Sequence, residues 1–389
     1  MKRRNFIKGV GFGAAFAAPA FAASVTSIED SRMRTDTCFN VRDFGAKGDG
    51  KASDTVAIQK ALDAAGAASG TVWFPAGEYL CHDLKVPERV CLRADPAWLY
   101  RNENAGAVLR LDDPNARCLL DITGSFGVHL YGLFLRGIRS TPKPVHGVLL
   151  DNPEKWSKKE DSCVLDDMKV GEFSGHGVYL NRIWLFIIRH SHFMSNGGDG
   201  VRIRGWDGFV TDNQFSGNGG NGFGCEGVGA TVMFTANRVE WNRRHGLFLV
   251  SGNDWNVTGN AFDSNWGAGL RANGTQMLSV TGNTFRRCGK DAGKLEDREC
   301  SCHVSFASCR GLTMVGNTCM AGRDDRGQGP YTPQNGFVVK GLSYSVIKDN
   351  TLYKGYSQDL VRDLGGHGEG YVFKDNVGCR VHGVKEGTA

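Results

Sequence analysis

An asparagine recurs at a near-constant step through the C-terminal two-thirds of this chain, and this repeat constrains the fold more than any other feature. The first three steps between copies are 24, 23 and 23 residues, and later steps are 34, 33 and 26 residues. A repeat of this length predicts a solenoid, in which each coil of the chain packs on the coil before it. The series comprises Asn213, Asn237, Asn260, Asn283, Asn317, Asn350 and Asn376.

Short apolar stretches between the asparagines define the strands of each coil. A second asparagine series (Asn196, Asn218, Asn242, Asn265) is followed four residues later by a glycine (Gly200, Gly222, Gly246, Gly269), and then by an apolar-x-apolar stretch. Alternation with a period of two indicates β-strands rather than helix. Three short strands in each coil of about 23 residues predict an all-β fold, a right-handed parallel β-helix solenoid. Equivalent residues of neighbouring coils then lie about 4.8 Å apart.

The repeating residues have a physical reason to stack. We expect the asparagines at corners, because asparagine tolerates left-handed backbone and its amide can bond to the same residue in the next coil. An outward ladder of threonines is expected beside them, and it comprises Thr211, Thr235, Thr258 and Thr281.

The N-terminus is expected to be an export signal rather than part of the fold. Arg3-Arg4-Asn5-Phe6-Ile7-Lys8 has the twin-arginine pattern, and an alanine-rich apolar run leads to a small-residue cleavage site ending at Ala22. We therefore assign residues 1–22 to a signal peptide, 23–37 to a linker and 38–389 to one β-helix domain with an N-terminal cap at about 38–80. A periplasmic or secreted location follows, with no membrane span after signal cleavage.

Charge gives no evidence for a nucleic-acid partner. The formal net charge is +5, but Lys2, Arg3, Arg4 and Lys8 belong to the signal, which leaves 42 basic and 41 acidic residues. A mature chain near neutrality lacks the global charge that non-specific binding to nucleic acid requires. The expected partner is a polysaccharide or oligosaccharide substrate, and the oligomeric state is left open.

No cofactor is expected from the sequence. Cys225 falls in an inward register, and Cys300, Cys302, Cys309 and Cys319 cluster without a Cys-x-x-Cys pair, which favours a disulfide or buried thiols over a metal site. Calcium could be held by the acidic doublets Asp166-Asp167 or Asp324-Asp325, although solvated turns explain both.

The N-terminal block carries a family resemblance. Residues 39–50 and 70–80 each form a strand and a glycine turn, and between them an amphipathic helix is expected from about Thr55, with Asp54 as its N-cap. In order and spacing this block resembles the opening of the pectate-lyase and polygalacturonase-like β-helix superfamily. The resemblance implies a right-handed β-helix whose open end is closed by the helix.

A second, local resemblance concerns the mannuronan C5-epimerases. The stretch Asn242-Arg243-Arg244-His245-Gly246 and the coils on either side of it look like the catalytic module of that family. By this resemblance, His245 corresponds to the catalytic histidine and Glu226 to a site carboxylate. The family's Asp-Pro-His motif is replaced here by Arg202-Ile203-Arg204.

The residues two and four places after each glycine should share one outward face. This register brings Arg202, Arg204 and Glu226 within one or two strand spacings, with His245 at the edge and Arg271 farther along. Arginine can neutralise a uronate carboxylate and so ease removal of the C5 proton, for which Glu226 or His245 is a candidate base. The alternative is a salt-bridge ladder on the solenoid surface.

A second cluster competes for the catalytic role. Glu240 and Asp263 occupy equivalent positions in adjacent coils, so their carboxyl groups are expected about 5 Å apart. This is the separation found in retaining glycosidases, and repulsion between the two groups should raise the pKa of one of them. Trp241 and Trp266 could stack on sugar rings, whereas Trp255 falls in an inward register. The structural alternative pairs the carboxylates with Arg238, Arg243 or Arg286.

The sequence therefore leaves several functions open. The preferred one is a polysaccharide lyase that acts by β-elimination on an acidic, uronate-containing glycan, using Glu226, His245, Arg202 and Arg204. Arg271, Glu240, Asp263, Trp241, Trp266 and Arg244 are candidate substrate-binding residues. The alternatives are a glycoside hydrolase that uses paired carboxylates, an epimerase-like enzyme and a non-catalytic glycan-binding β-helix protein. Insertions near residues 139–146, 152–161, 290–299 and 323–334 are expected to wall a binding groove.

Overall fold

The computed structural model describes residues 37–98, 106–152, 162–227, 230–289, 300–321 and 332–381. They form a right-handed parallel β-helix, as the repeat predicts, in which every strand pairs in parallel with its equivalent one coil away. The proposed signal peptide, Asp324-Asp325 and most residues of the three later insertions lie outside the described residues.

Each coil contributes strands to three ladders. Ladder 1 holds the strands that follow the repeating glycines, namely Leu84–Lys85, Cys118–Asp121, His146–Asp151, the first halves of Val178–Arg189 and Val201–Thr211, Phe223–Glu226, Leu247–Val250, Leu270–Asn273, Cys302–Ala307, Asn335–Lys340 and Asp359–Asp363. Ladder 2 holds Cys38–Asn40, Thr71–Trp73, Cys91–Arg93, Val128–Tyr131, Cys163–Asp166, the second halves of the same two long strands, Ala230–Thr235, Asn253–Thr258, Gln276–Thr281, Arg310–Val315, Ser345–Lys348 and Tyr371–Lys374. Ladder 3 holds Asp49–Ser53, Gly77–Cys81, Ala107–Leu111, Phe134–Arg136, Lys169–Gly171, His192–Met194, Gln214–Ser216, Arg238–Glu240, Ala261–Asp263, Thr284–Arg286, Thr318–Met320, Thr351–Tyr356 and Val377–Arg380.

Two coils depart from this plan in a way that matters for the site. Val178–Arg189 and Val201–Thr211 run unbroken through ladders 1 and 2, where other coils make a turn. The ring of Phe186 occupies the space where a side chain at Gly208 would lie, so glycine there lets the two strands pack closely. In the second of these strands the outward positions run on from Arg204 to Trp206, after which Asp207 (φ 53°) bends the chain. In the first strand the pairing is irregular between Asn181 and Ile183.

The N-terminal cap confirms the predicted helix and corrects one detail. A short 3-10 helix, Val41–Phe44, precedes the α-helix Thr55–Ala68, which buries Ile58 and Leu62 against the core. Asp54 occupies the N-cap position, but its carboxylate makes no capping bond to the helix. It accepts instead from the backbone N–H groups of Lys47 (2.7 Å) and Gly48 (3.0 Å), which fixes the preceding loop. Among the helices of the described residues, none combines the length and the apolar character that crossing a membrane requires.

The asparagine ladders form the buried corners of the solenoid. Asn260 Nδ2 donates to Asn283 Oδ1 and to the carbonyl oxygen of Phe234, both at 2.9 Å, and Asn260 Oδ1 accepts from the backbone N–H of Asn237 at 2.9 Å. The expectation of left-handed backbone at the asparagines themselves is wrong. The residue before each asparagine is left-handed, as at Ala236 (φ 57°), because the side chain must turn inward to reach the next coil.

The core follows the predicted inward register. Phe262 and Phe285 stack with ring centroids 4.8 Å apart, and Trp255 is buried as expected. Thr258 and Thr281 lie side by side in the outward threonine ladder, with their hydroxyl oxygens 3.1 Å apart. The described cysteines are free thiols, and Cys225 lies in the core.

Acid should destabilise this fold through its buried histidines. Burial lowers the pKa of His303 to about 4 from an ordinary value of 6.5, and His146 and His192 behave alike. Between those two values the unfolded chain binds more protons than the folded one, so stability falls as the pH drops below about 6.5. Each such histidine lowers the free energy of unfolding by roughly 2 kcal/mol between pH 8 and pH 5.

Urea unfolding at pH 8 and pH 5 tests this expectation for one residue. His303→Leu should lose less stability between the two pH values than the natural chain does, by about 2 kcal/mol. Leucine at the exposed His129 is the matched control for replacing a histidine by leucine outside the core. An identical pH dependence in His303→Leu and the natural chain would contradict this assignment.

Candidate functional site

The outward face of ladder 1 carries the predicted alignment of polar residues. Tyr179, Arg202, Gly224, Phe248 and Arg271 occupy one row across five coils. The neighbouring row on the same face pairs Asn181 with Arg204, and pairs Glu226 with Val250 and then Asn273. We call these two rows the ladder 1 face.

Arg202 joins two carboxylates at the centre of this face. Its guanidinium donates to Asp199 Oδ2 at 2.8 Å and forms an ion pair with Glu226. Gly224, between them, makes room for the arrangement, because a Cβ there would lie 2.5 Å from Asp199 Oδ2. The structure therefore brings Arg202 and Glu226 together, and protein carboxylates already neutralise Arg202.

The two carboxylates differ in their access to solvent. Asp199 is buried, and its Oδ1 accepts from the backbone N–H (2.6 Å) and the side-chain amide (3.1 Å) of Asn221. The side chain of Glu226 is 45% exposed. Asp199 thus holds Arg202 in place, and Glu226 is the carboxylate that a substrate can reach.

A column of polar side chains borders the ladder 1 face. It consists of the residue before each glycine, and each side chain accepts a hydrogen bond from the backbone N–H of the next member. Its polar side chains are those of His146, His176, Asp199, Asn221 and His245. The backbone nitrogens of His176, Asp199, Asn221 and His245 lie 3.0, 2.8, 2.6 and 3.0 Å from the side-chain acceptor before them, and that of Ala268 lies 3.1 Å from His245.

This polar column fixes the tautomers of its histidines. In His146, His176 and His245 the acceptor is Nδ1, so each neutral ring carries its proton on Nε2. Burial lowers the pKa of His176, and the neighbouring Asp199 only partly offsets that effect. At neutral pH His176 is therefore an uncharged hydrogen-bond donor.

Tyr179 packs on the histidines of the column. Its ring stacks against His146 and His176 at centroid distances of 5.2 and 5.5 Å. Burial and then the charge of Asp151 raise the pKa of its phenol. Tyr179 consequently keeps its proton at neutral pH and can donate it to a developing oxyanion.

Arg204 differs from Arg202 in its partners. Within the described part of the chain it makes no ion pair or hydrogen bond. It is half-buried, and it follows Ile203 just as Glu226 follows Cys225, the partner of Ile203 on the adjacent strand. Arg271, in contrast, donates to Cys300 Sγ at 2.9 Å and lies over the ring of Phe248. Arg204 is thus the guanidinium of this face that is ready for an external anion.

His245 lies at the edge of the ladder 1 face, as the register predicts. It lies in the polar column and is buried, with its ring stacked on Phe248 at 5.3 Å. Because Nδ1 accepts from Ala268, the ring cannot take up a proton without breaking that bond. The neighbouring Arg244 is exposed, and Arg243 lies over the ring of Trp266 at 5.8 Å.

The competing carboxylate pair is satisfied by arginines. Glu240 and Asp263 are in register as predicted, but Glu240 is fully buried and accepts from Arg238 Nε (2.7 Å) and Gln214 Nε2 (2.6 Å). Asp263 pairs with Arg287 at 2.8 and 2.5 Å, rather than with the expected Arg286.

This geometry favours the structural explanation of the pair. Glu240 is not accessible to a substrate, which does not support its proposed role in binding. Trp241 is 37% exposed and lies against the same Arg287 at 5.6 Å. Asp166, considered for calcium, accepts from Arg189 at 2.9 and 2.7 Å and lies 2.9 Å from His190 Nδ1.

Sequence reasoning missed two members of the site, Asp199 and His176, whereas it places Tyr179 on the outward face, where a tyrosine could donate to the leaving oxygen. The signal of the two missed residues is positional, since both immediately precede a repeating glycine. A search for polar residues at the position of His245 in every coil would have found the column.

Two sequence families match parts of this chain. The family described as right handed beta helix region matches residues 176–352, and the family described as rhamnogalacturonase A/epimerase, pectate lyase-like matches residues 38–89. Mannuronan C5-epimerase AlgE5 of Azotobacter vinelandii is 32% identical over 245 residues, which are 60% of this chain and 22% of AlgE5. Alginate lyase 7 of the same organism is 67% identical over 42 residues, 10% of this chain and 5% of that protein.

A solved structure supports the same relationship at the level of fold. The A-module of mannuronan C5-epimerase AlgE4 from Azotobacter vinelandii has a TM-score of 0.57 and 19% identity, covering 87% of this chain and 99% of the module. The chain spans about a fifth of the length of the curated epimerase AlgE5. This chain is a right-handed parallel β-helix, and parts of it are similar in sequence to the pectate-lyase-like family (residues 38–89) and to the mannuronan C5-epimerases (245 residues).

Proposed function

We propose that this protein is a polysaccharide lyase that acts by β-elimination on a uronate-containing glycan bound to the ladder 1 face. The observation that carries the proposal is the half-buried Arg204, which has no ion pair among the described residues and lies beside the accessible carboxylate of Glu226. The homology to mannuronan C5-epimerases supports an acidic sugar as substrate, because the first chemical step of both reactions removes the C5 proton of a uronate.

Arg204 binds the uronate carboxylate in this proposal. A guanidinium forms two parallel hydrogen bonds to a carboxylate and withdraws charge from it. Neutralising the carboxylate acidifies the adjacent C5–H bond and stabilises the charge that develops when this bond breaks. Arg202 cannot fill this role equally well, since Asp199 and Glu226 already neutralise it.

Glu226 acts as the base and Tyr179 as the acid. The C5–H bond breaks and the proton passes to Glu226, while the electron pair forms a C4–C5 double bond. The C4–O bond breaks, and the leaving oxygen takes the phenolic proton of Tyr179, which a raised pKa has kept in place. Solvent then returns a proton to Tyr179 and removes one from Glu226.

Glu226 is favoured over His245 as the base by hydrogen bonding. The Nδ1 atom of His245 accepts from the backbone N–H of Ala268. In the neutral ring the proton is therefore on Nε2, which can donate a hydrogen bond but cannot accept a proton. The carboxylate of Glu226 is paired with Arg202 and is nearly half exposed, so a substrate can reach it.

A panel of polymers tests the proposed reaction. The protein is incubated with polymannuronate, polygalacturonate, a bacterial exopolysaccharide and neutral glucans and fructans, and ultraviolet absorbance and reducing ends are read together. We expect both to rise on an acidic polymer, because each elimination creates one unsaturated uronate and one reducing end. Reducing ends without absorbance would show hydrolysis and sink the lyase proposal; binding without either signal would make this a glycan-binding protein.

A further inference from the structure

Two tryptophan side chains, one exposed and one half-buried, lie where the ladder 1 face meets ladder 2. Trp184 is 42% exposed and lies on the unbroken strand Val178–Arg189. Trp206 lies opposite it in register on the unbroken strand Val201–Thr211. An exposed tryptophan beside a second, half-buried one offers an apolar surface that a ligand can cover.

The two indoles form an ordered platform. Their ring centroids are 6.3 Å apart with an interplanar angle of 39°. Trp184 Nε1 donates to Asp207 Oδ2 at 2.6 Å, which fixes the rotation of the indole. Asp207 itself has left-handed backbone (φ 53°), and this geometry turns its carboxylate toward Trp184. We call Trp184 and Trp206 the tryptophan platform.

The tryptophan platform is aligned with the guanidinium proposed to bind the substrate. Arg204 and Trp206 both point outward on one strand, two residues apart, which corresponds to about 7 Å along an extended strand. The continuous strand makes this possible, since other coils insert a turn at this point. A glycan whose carboxylate lies on Arg204 therefore has its neighbouring sugar unit within reach of the indoles.

We propose that the tryptophan platform is a sugar-binding subsite that holds the unit next to the uronate on Arg204. This inference rests on the proposed function for the identity of the acidic unit. A sugar ring presents an apolar face of C–H groups that packs on an indole, and its hydroxyl groups stay in water at the rim. The platform suits such an occupant because Asp207 accepts from Trp184 and Arg204 lies two residues before Trp206 on the same strand, so polar groups lie beside the apolar rings.

Binding measurements on single variants test the platform. Affinities of short oligomannuronates, oligogalacturonates and neutral malto-oligosaccharides are measured by calorimetry for the natural chain and for Trp184→Ala, Trp206→Ala and Arg204→Ala. Phe209→Ala is the matched control, because Phe209 is 48% exposed on the same strand but lies beyond the bend at Asp207 and farther along the chain from Arg204. Circular dichroism and light scattering check folding and oligomeric state in every variant.

We expect each tryptophan variant to bind oligouronates about tenfold more weakly and Phe209→Ala to bind normally. If Arg204→Ala weakens binding and the tryptophan variants do not, the platform is wrong and the proposed function stands. If neutral sugars bind in a tryptophan-dependent way and oligouronates do not, the platform stands and the proposed substrate is wrong. Absence of all sugar binding, or tryptophan variants that change only the oligomeric state, would overturn the platform.

Discussion

Replacing Asn260 with alanine is expected to lower the free energy of unfolding by about 4 kcal/mol. The substitution leaves two buried groups, the backbone N–H of Asn237 and the carbonyl oxygen of Phe234, without the partners they have in the folded chain. It also removes the amide bonds to Asn237 and Asn283. An unpaired buried polar group costs roughly 1–3 kcal/mol, and several are created together.

Urea unfolding followed by circular dichroism measures this cost. Asn256→Ala is the matched control, because Asn256 lies in the same coil but faces outward. This substitution should lower the free energy of unfolding by less than about 1 kcal/mol. A similar loss in both variants would mean that the ladder adds no more than any outward amide. The ladder would then not be what holds successive coils in register.

Glu226→Gln is expected to lower kcat on an acidic polymer by about a thousandfold or more, with little effect on KM. Glutamine keeps a hydrogen bond to Arg202 but cannot accept the C5 proton, and general-base catalysis is worth roughly 10²–10⁴-fold. Arg204→Ala should lower kcat/KM by a comparable factor, because substrate and transition state both lose their carboxylate partner.

The pattern across variants identifies the roles. Arg204→Lys should recover part of the lost kcat/KM, since lysine restores the charge without the paired hydrogen bonds. Glu369→Gln, at an exposed carboxylate near the C-terminal end of the solenoid, is the control and should be fully active. An active Glu226→Gln together with an inactive His245→Ala would move the base to His245 and contradict the tautomer argument.

The fold was predictable because its signal is one-dimensional. A period of about 23 residues places equivalent positions in contact, and the alternation of apolar residues then fixes which side chains face outward. The same reasoning aligned Arg202, Arg204 and Glu226 correctly and placed Trp255 in the core. It located left-handed backbone one residue too late, since the sequence does not show which way a corner side chain turns.

The site was only partly predictable, because the ion-pair partner of each arginine or carboxylate depends on the length and direction of the side chains. Register alone places Glu240 beside Asp263 but does not show that Arg238 and Arg287 bind one carboxylate each. The pairing of Arg202 with Asp199, which leaves Arg204 for a ligand, depends on the space above Gly224. The tryptophan platform was missed because Trp184 and Trp206 lie on strands that span ladders 1 and 2. The repeat predicts a turn between these ladders in every coil.

The most direct test of the central claim, C5 chemistry on the ladder 1 face, is proton NMR of a polyuronate incubated with the protein in D₂O. Both elimination and epimerisation remove the C5 proton, so the account predicts that the H5 signal falls with the natural chain. The signal should stay constant with Glu226→Gln. An H5 signal that is retained while the polymer shortens would contradict the account, because the protein would then cleave glycosidic bonds without touching C5.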